Sequence, residues 1–203
     1  MLTELNERCV RLAFPLRSLV CDTLVDTAEE RSALRTLANV TGATPGNPRA
    51  YIQASFMYPG PSRFSDGTFG VLYCANSAAT ALHESSYHLS KIYRDGNAPT
   101  MKTGRVRLAL QLRGRTADIR RSVEPHISFK YYDPIDYSAA QVFGAQMREQ
   151  TNSVHYDSIR NKHGGHCIGS FGPEMVLGVR VVGSTQLVWD GSHFVEEHII
   201  GTI

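Results

Sequence analysis

The chain has 203 residues, of which 42% are hydrophobic and 20% charged, a composition typical of a globular protein of one domain. Its formal net charge of +2 excludes the strongly basic field that marks many nucleic-acid-binding proteins, so we expect no direct nucleic-acid binding. The N-terminus lacks the apolar core of a secretory signal, and no apolar run is as long as a membrane span. We therefore expect a soluble cytoplasmic protein without membrane contact.

The four cysteines are scattered, and none forms the Cys-x-x-Cys pair that indicates a zinc ribbon or a thioredoxin-like site. Cys74 and Cys167 lie in apolar runs and are expected to be buried thiols. A reducing compartment fits this pattern best, although an even number of cysteines is also compatible with disulfides.

The N-terminal quarter predicts two strands separated by a helix. Residues 11–20 alternate imperfectly and predict a strand. Residues 27–39 predict a helix, because they open with a capping-box pattern and continue with an apolar stripe at helical spacing. A loop with two prolines follows at 42–48, and the apolar run 51–58 predicts the second strand.

Residues 62–84 (SRFSDGTFGVLYCANSAATALHE) predict a loop, a buried strand over 70–75 and a helix in succession. Asn76 or Ser77 can cap this helix, because either side chain can accept from an unpaired backbone N–H of the first turn. The helix is expected to extend to Arg94. Its predicted inner face consists of Ala78, Leu82, Ser85, Leu89 and Ile92.

The second half of the chain predicts mostly strands. Residues 105–112 alternate most cleanly, with four aliphatic side chains on one face, and 114–134 are rich in loop-forming residues. A helix is predicted over 138–150, where Ser138 and Gln141 match a capping box and Val142, Phe143 and Met147 supply core residues. Further strands are predicted at 154–159, 167–171, 178–182 and 186–189, with a hairpin turn at Asp190-Gly191.

These patterns together predict an α+β fold: a compact single domain of short mixed β-sheets with flanking helices. Residues 1–50 are expected to form an N-terminal elaboration and 51–191 the core. The segment 192–203 is expected to be a C-terminal strand or tail.

One short unit supplies three chemically useful side chains: a cation at Arg63, an aromatic ring at Tyr73 and a carboxylate at Glu84. Glu84 lies about two turns into its helix, where the helix macrodipole does not account for a carboxylate. Each residue alone also fits an ordinary role, as a surface cation, a core aromatic residue and an exposed helix carboxylate.

The segments SRFSDGTFG, VLYCA and SAATALHE, which carry Arg63, Tyr73 and Glu84, resemble the first half of a RES domain, a family named after its Arg, Glu and Ser. The second half is similar at VHYDSIR, which supplies Ser158. The opening segment of the family resembles CVRLAFPLRS, where Arg11 or Arg17 supplies a further arginine. The resemblance implies an NAD-consuming toxin of a bacterial toxin–antitoxin pair, with a fold similar to that of ADP-ribosyltransferases.

If the substrate is NAD, each of these residues has a chemical role. The nicotinamide is already cationic, so its departure needs no general acid, and Glu84 can stabilise positive charge on the ribose. Tyr73 can stack on the nicotinamide ring. The forked donors of Arg63 and Arg11 suit a pyrophosphate, and Ser158 can position the substrate or Glu84.

NAD is thus expected to be a substrate, with no cofactor. A metal site is not predicted, because His163, His166 and Cys167 share a short glycine turn without an evident fourth ligand. No P-loop, Rossmann fingerprint or nucleophile elbow is present.

Three functions remain open at the level of the sequence. The first is cleavage of the nicotinamide–ribose bond by hydrolysis or phosphorolysis. The second is mono-ADP-ribosylation of a cellular protein, and the third is a catalytically silent partner-binding domain. The resemblance implies a cognate antitoxin with an Xre-type helix-turn-helix as partner, and it leaves a homo-oligomer open.

Overall fold

The computed structural model of the protein describes residues 2–15, 27, 29 and 47–200, the last five of them by their backbone alone. The helix predicted over 27–39 therefore lies outside the described residues, apart from two isolated positions, and so does Arg17. Within the described part, no helix combines the length and the apolar composition needed to cross a membrane.

The described residues form seven strands and three α-helices, together with two short 3-10 helices. In chain order, the elements are β1 (Leu2–Ala13), α1 (Pro48–Met57), β2 (Leu72–Ala75), α2 (Ala78–Asp95), β3 (Met101–Asp118), the 3-10 helix Phe129–Tyr132, α3 (Ser138–Arg148), β4 (Ser153–Asp157), β5 (His166–Ser170), the 3-10 helix Pro173–Met175, β6 (Val176–Trp189) and β7 (Phe194–Ile200).

All seven strands belong to one sheet, in the order β1-β2-β5-β4-β3-β6-β7, and β1 also pairs with β3 along its whole length. These pairings close β1, β2, β5, β4 and β3 into a ring. Between β1 and β2 the ring is closed by one residue pair only, Val10 with Ala75. The antiparallel pair β6 and β7 extends the sheet beyond β3.

The inner face of this ring is filled by apolar side chains from several strands, because successive residues of a strand point to opposite faces. This inner cluster includes Leu5 and Cys9 from β1, Leu72 from β2, Leu108 from β3 and Ile168 from β5. The opposite, outer face of the ring packs against α3 and the loop that carries Arg63. This second cluster, called the outer cluster below, includes Phe64, Ala140, Val154 and Tyr156. The predicted α+β single domain is thus confirmed.

The prediction of a strand over residues 51–58 is wrong, because this segment belongs to helix α1. Asn47 is the N-cap, and its side chain accepts a hydrogen bond from the backbone N–H of Arg49 at 3.0 Å. Pro48 occupies the first turn, where its missing N–H costs nothing. The Asn-Pro start signal outweighed the apolar composition that suggested a strand.

Two helix predictions were right in position and wrong in detail. Ser77 caps α2, as one of the two alternatives predicted, but Ile92 is exposed, and the buried residues of α2 are Thr80, Ala81, Leu89 and Ser90. In α3 the cap position is Tyr137, without a side-chain cap, so the predicted capping box at Ser138 does not form. Val142, predicted for the core, is exposed.

Three strand predictions also changed in extent. The strand predicted at 105–112 is the centre of a much longer β3, which takes in the start of the segment expected to be loop. The pieces predicted at 178–182 and 186–189 form one strand, β6. The hairpin turn at Asp190-Gly191 is confirmed, since Trp189 pairs with Phe194 on either side of it.

Gly70 lies against the backbone of α1 just before β2, and this contact requires a glycine. A Cβ at this position would lie 2.6 Å from Phe56 Cα and closer still to Ser55 O. We expect Gly70→Ala to lower the free energy of unfolding by about 1–3 kcal/mol, because the backbone must shift to admit the methyl group. The control is Gly60→Ala, where no atom lies within 4 Å of the added Cβ. Denaturant unfolding that gives equal stabilities for the two variants would contradict the prediction.

Candidate functional site

Helix α2 carries Glu84 and begins immediately after the buried strand β2. The side chain of Ser77 accepts from the backbone N–H of Thr80 at 3.1 Å, which fixes the first turn of the helix. Thr80 and Glu84 are four residues apart and therefore lie on the same face of α2. This face is directed towards the loop that joins β4 to β5.

The β4–β5 loop, residues 158–165, carries Ser158 and places it against Glu84. The Ser158 hydroxyl donates to Glu84 Oε1 at 2.6 Å. The Ser158 Oγ atom itself accepts from the backbone N–H groups of Arg160 and Asn161, at 3.3 and 3.1 Å. Ser158 therefore caps the turn that follows it while it holds the carboxylate.

A second contact fixes the loop to α2 one turn before Glu84. Asn161 Nδ2 donates to Thr80 Oγ1 at 3.0 Å, and Thr80 is fully buried. Gly165 has a φ of +133° and lies directly on the Thr80 side chain, where any Cβ would clash. The loop thus meets the helix at two positions along a single face.

Glu84 remains partly accessible, since its side chain is 21% exposed. His88 Nε2 lies 3.9 Å from Glu84 Oε2, and Cys167 Sγ lies 3.9 Å from Oε1. Burial raises the pKa of the Cys167 thiol; Glu84 raises it further, and the positive charge of Arg63 lowers it. Cys167 is therefore a neutral thiol, and the charges of Glu84 and Arg63 both act on it.

Arg63 is 8% exposed and is held by main-chain carbonyls. Its Nη1 donates to Tyr131 O and to Asp133 O, each at 3.0 Å. The guanidinium also lies over the ring of Tyr137, 4.6 Å from the ring centroid. Both hydrogen bonds use Nη1, so Nε and Nη2 are not engaged by them.

Tyr73 supports the Arg63 loop from β2. Its hydroxyl donates to Ser62 Oγ at 2.9 Å and accepts from the backbone N–H of Phe64 at 3.0 Å. Burial raises the pKa of Tyr73 to about 12, so the hydroxyl stays protonated and can keep both bonds. The ring is partly buried against the outer cluster.

Arg11 is on β1, and its guanidinium contacts the protein at two points. Nη1 donates to Tyr73 O at 2.6 Å, and Nη2 donates to Ser55 Oγ at 3.1 Å. Burial lowers its pKa. The structure thus places Arg11 behind β2, where it also lines a cavity of about 400 Å³ with His88 and Arg105.

The sequence analysis missed three aromatic and basic residues that contact one another beside Arg63 and the β4–β5 loop: Tyr87, Tyr137 and Arg160. The Arg160 guanidinium lies 3.4 Å from the centroid of the Tyr87 ring and donates to Tyr137 Oη at 3.3 Å. Arg160 follows Ser158 by two residues in VHYDSIR, which was the available signal. Tyr87 lies one turn after Glu84 on α2, whereas nothing in the sequence points to Tyr137.

We expect the Thr80–Asn161 bond to stabilise the joined helix and loop. Thr80→Val keeps the side-chain shape and leaves the buried Asn161 amide without its acceptor, which should cost about 1–3 kcal/mol of unfolding free energy. Thr68→Val is the matched control, because Thr68 donates to Asp66 on the surface. Chemical denaturation measures both variants, and an equally small loss in both would show that the buried bond contributes little.

Comparisons with protein families and with solved structures each found a similarity to this chain. A family model for the RES domain matches residues 41–190. Among curated proteins, none matches this chain. A chain in the crystal structure of the M. tuberculosis MbcT–MbcA toxin–antitoxin complex is similar in fold, with 14% identity, a TM-score of 0.50 and coverage of 92% of this chain and 86% of that one. Because the family model spans most of its length, the protein belongs to the RES domain family.

Proposed function

We propose that this protein is the toxin of a bacterial toxin–antitoxin pair and cleaves the nicotinamide–ribose bond of NAD. The observation that carries the proposal is the 2.6 Å hydrogen bond from Ser158 to Glu84, which joins the two halves of the family motif. A carboxylate held in this way needs no rearrangement as charge develops on a bound ribose. This is the requirement of a reaction whose leaving group is a neutral nicotinamide.

The cations around Glu84 support a substrate that carries phosphate. Arg63 and Arg160 are both fixed by main-chain carbonyls and by stacking on tyrosine rings. Fixed guanidinium groups suit the pyrophosphate of NAD, because their geometry matches two phosphate oxygens at once. Arg11 has a different role in this proposal: it braces β2 behind Tyr73, through its 2.6 Å bond to the Tyr73 carbonyl.

Tyr73 acts mainly as a positioning residue in this scheme. Its hydroxyl holds the backbone next to Arg63, so loss of that hydroxyl would displace the cation. The part of its ring that stays accessible can still contact the nicotinamide. The cognate partner is proposed to be an antitoxin, and the chain of similar fold comes from a toxin–antitoxin complex. The Xre type of this antitoxin is proposed from the family resemblance alone.

The reaction is tested by incubating the purified protein with NAD and identifying the products by mass. Free ADP-ribose indicates water as acceptor, ADP-ribose 1″-phosphate indicates phosphate, and a mass added to protein indicates ADP-ribosyl transfer. We expect Glu84→Gln to slow nicotinamide release by roughly two to three orders of magnitude, because one preorganised charged group is worth about 2.7–4 kcal/mol. The exposed Glu149→Gln is the matched control.

The unfolding midpoint of Glu84→Gln should stay close to that of the wild type, since glutamine has nearly the same size and helix propensity and can still accept from Ser158. Near-wild-type nicotinamide release from a folded Glu84→Gln variant would remove Glu84 from the reaction. A folded wild-type protein that releases no nicotinamide would favour the partner-binding alternative.

Arg63→Lys should weaken NAD binding by tenfold or more although the charge is kept. A single ammonium cannot donate to two carbonyls, stack flat on Tyr137 and also face a phosphate. Calorimetric titration of Glu84→Gln with NAD, with and without Arg63→Lys, measures binding while turnover is suppressed. Lys130→Arg is a useful control, because Lys130 is an exposed cation near the same loop. An unchanged affinity in Arg63→Lys would show that Arg63 does not contact the substrate.

A further inference from the structure

A cluster of three side chains with metal-binding donors lies on the opposite face of the β4–β5 hairpin from Glu84. Glu7 of β1, His155 of β4 and His166 of β5 each supply one donor atom, and these atoms lie within 4.8 Å of one another. The two imidazole rings meet edge to face, with centroids 4.6 Å apart. Glu7 Oε1 is 3.6 Å from His166 Nε2.

Strand alternation explains why these residues meet. Glu7 shares its face of β1 with Leu5 and Cys9, and His166 shares its face of β5 with Ile168, all of them inner-cluster residues. His155 lies between Val154 and Tyr156, which belong to the outer cluster, so its side chain also points inwards. The three donors therefore converge at one end of the inner face of the strand ring.

This end of the ring is where the sheet is least continuous. β1 and β2 pair only at Val10 and Ala75, and after Ala75 the chain leaves the sheet for α2. Glu7 lies three residues before Val10 in β1, beyond the end of the antiparallel β2. Beside Glu7, therefore, no strand of the described chain lies between β1 and β5. Beside Asn76, which bonds the His166 backbone, the side chains of Glu7 and His166 approach each other across this gap.

The Nε2 atoms of His155 and His166 have no hydrogen-bond partner among the described residues. His155 is 2% exposed, and its Nε2 is buried without a hydrogen-bond partner in the described structure. His166 Nε2 is also buried without a hydrogen-bond partner, because its distance of 3.6 Å to Glu7 Oε1 is longer than a hydrogen bond. An unpartnered buried nitrogen is costly, and two of them side by side need an explanation.

Asp118 lies beside the Nδ1 side of the His155 ring. Its Oδ2 is 3.9 Å from His155 Nδ1, which is too far for a hydrogen bond, and Arg120 holds it through two hydrogen bonds at 3.0 and 2.7 Å. The other nitrogen of the ring, Nε2, is the one that has no hydrogen-bond partner in the described structure.

We infer that Glu7, His155 and His166 form a binding site for a first-row transition-metal dication of the Zn²⁺ class. The bound ion would connect β1 to the β4–β5 hairpin. Two imidazoles and one carboxylate are a donor set that such ions accept, with a fourth position left for water. Donors about 2.0–2.1 Å from a tetrahedral ion lie roughly 3.4 Å apart, so small side-chain rotations suffice. The ion would bridge the gap in the strand ring.

The three proposed ligands come from three different strands, β1, β4 and β5. The sequence analysis considered His163 and Cys167 beside His166. Cys167, however, faces the outer cluster, and the other ligands come from distant strands.

The test is titration of the full, untagged protein with Co²⁺ and Zn²⁺, without NAD. We expect one Co²⁺ per chain, with the visible absorption of a four- or five-coordinate ion, and displacement by Zn²⁺. Glu7→Gln and His166→Gln should each weaken binding by tenfold or more, and both positions are partly exposed, at 34% and 23%, so the variants should fold. His193→Gln is the matched control, because His193 forms an exposed pair with Asp190 at 3.0 Å.

Binding that is absent in the wild type, or that is unchanged in both Glu7→Gln and His166→Gln, would overturn the inference. Loss of binding in His193→Gln alone would assign the ion to the β6–β7 turn and would overturn it too. Zn²⁺ should also raise the unfolding midpoint of the wild type and not that of the double variant Glu7→Gln/His166→Gln. These readouts contain no NAD, so their failure leaves the proposed function untouched.

Discussion

The hydrogen bond between Ser158 and Glu84 is the contact on which the geometry of the candidate site depends, because it joins segments 74 residues apart in the chain. A hydroxyl has one proton and two lone pairs. The Ser158 oxygen already accepts from the backbone N–H groups of Arg160 and Asn161, so its single proton has one remaining direction, towards Glu84. The turn after Ser158 and the position of the carboxylate are therefore set together.

The segment 131–134 organises the basic part of the site with its backbone alone. The carbonyls of Tyr131 and Asp133 hold Arg63, and the carbonyl of Pro134 accepts from Arg160 at 2.6 Å. Carbonyl oxygens partly compensate for the lost hydration of a guanidinium without neutralising its charge. Both guanidinium groups therefore keep their positive charge, as the proposed binding of an anionic substrate requires.

The sequence predicted the strand–helix unit that carries Glu84 because its signals are local: an apolar run, a capping serine and a stopping glycine. It did not predict the arginine environment, because backbone carbonyls from a loop leave no signature in side-chain identity. The strand prediction for segment 51–58 was wrong for another reason. Its apolar residues fit a strand or a helix equally, and only the helix start at Asn47-Pro48 distinguishes the two. The sequence also did not predict which side chains of β4 and β5 face the inner cluster and which face the outer cluster, because this depends on which strands become neighbours.

Those two faces connect the candidate site to the far side of the sheet. Cys167 points outwards to Glu84, whereas its neighbour His166 points inwards to Glu7. A slip of one residue in the pairing of β4 and β5 would exchange the two faces and carry Ser158 away from Glu84. Contacts of His166 on the inner face therefore help to keep the hairpin in the register that the outer face needs. Strand alternation thus links the position of Ser158 on the outer face to the contacts of His155 and His166 on the inner face.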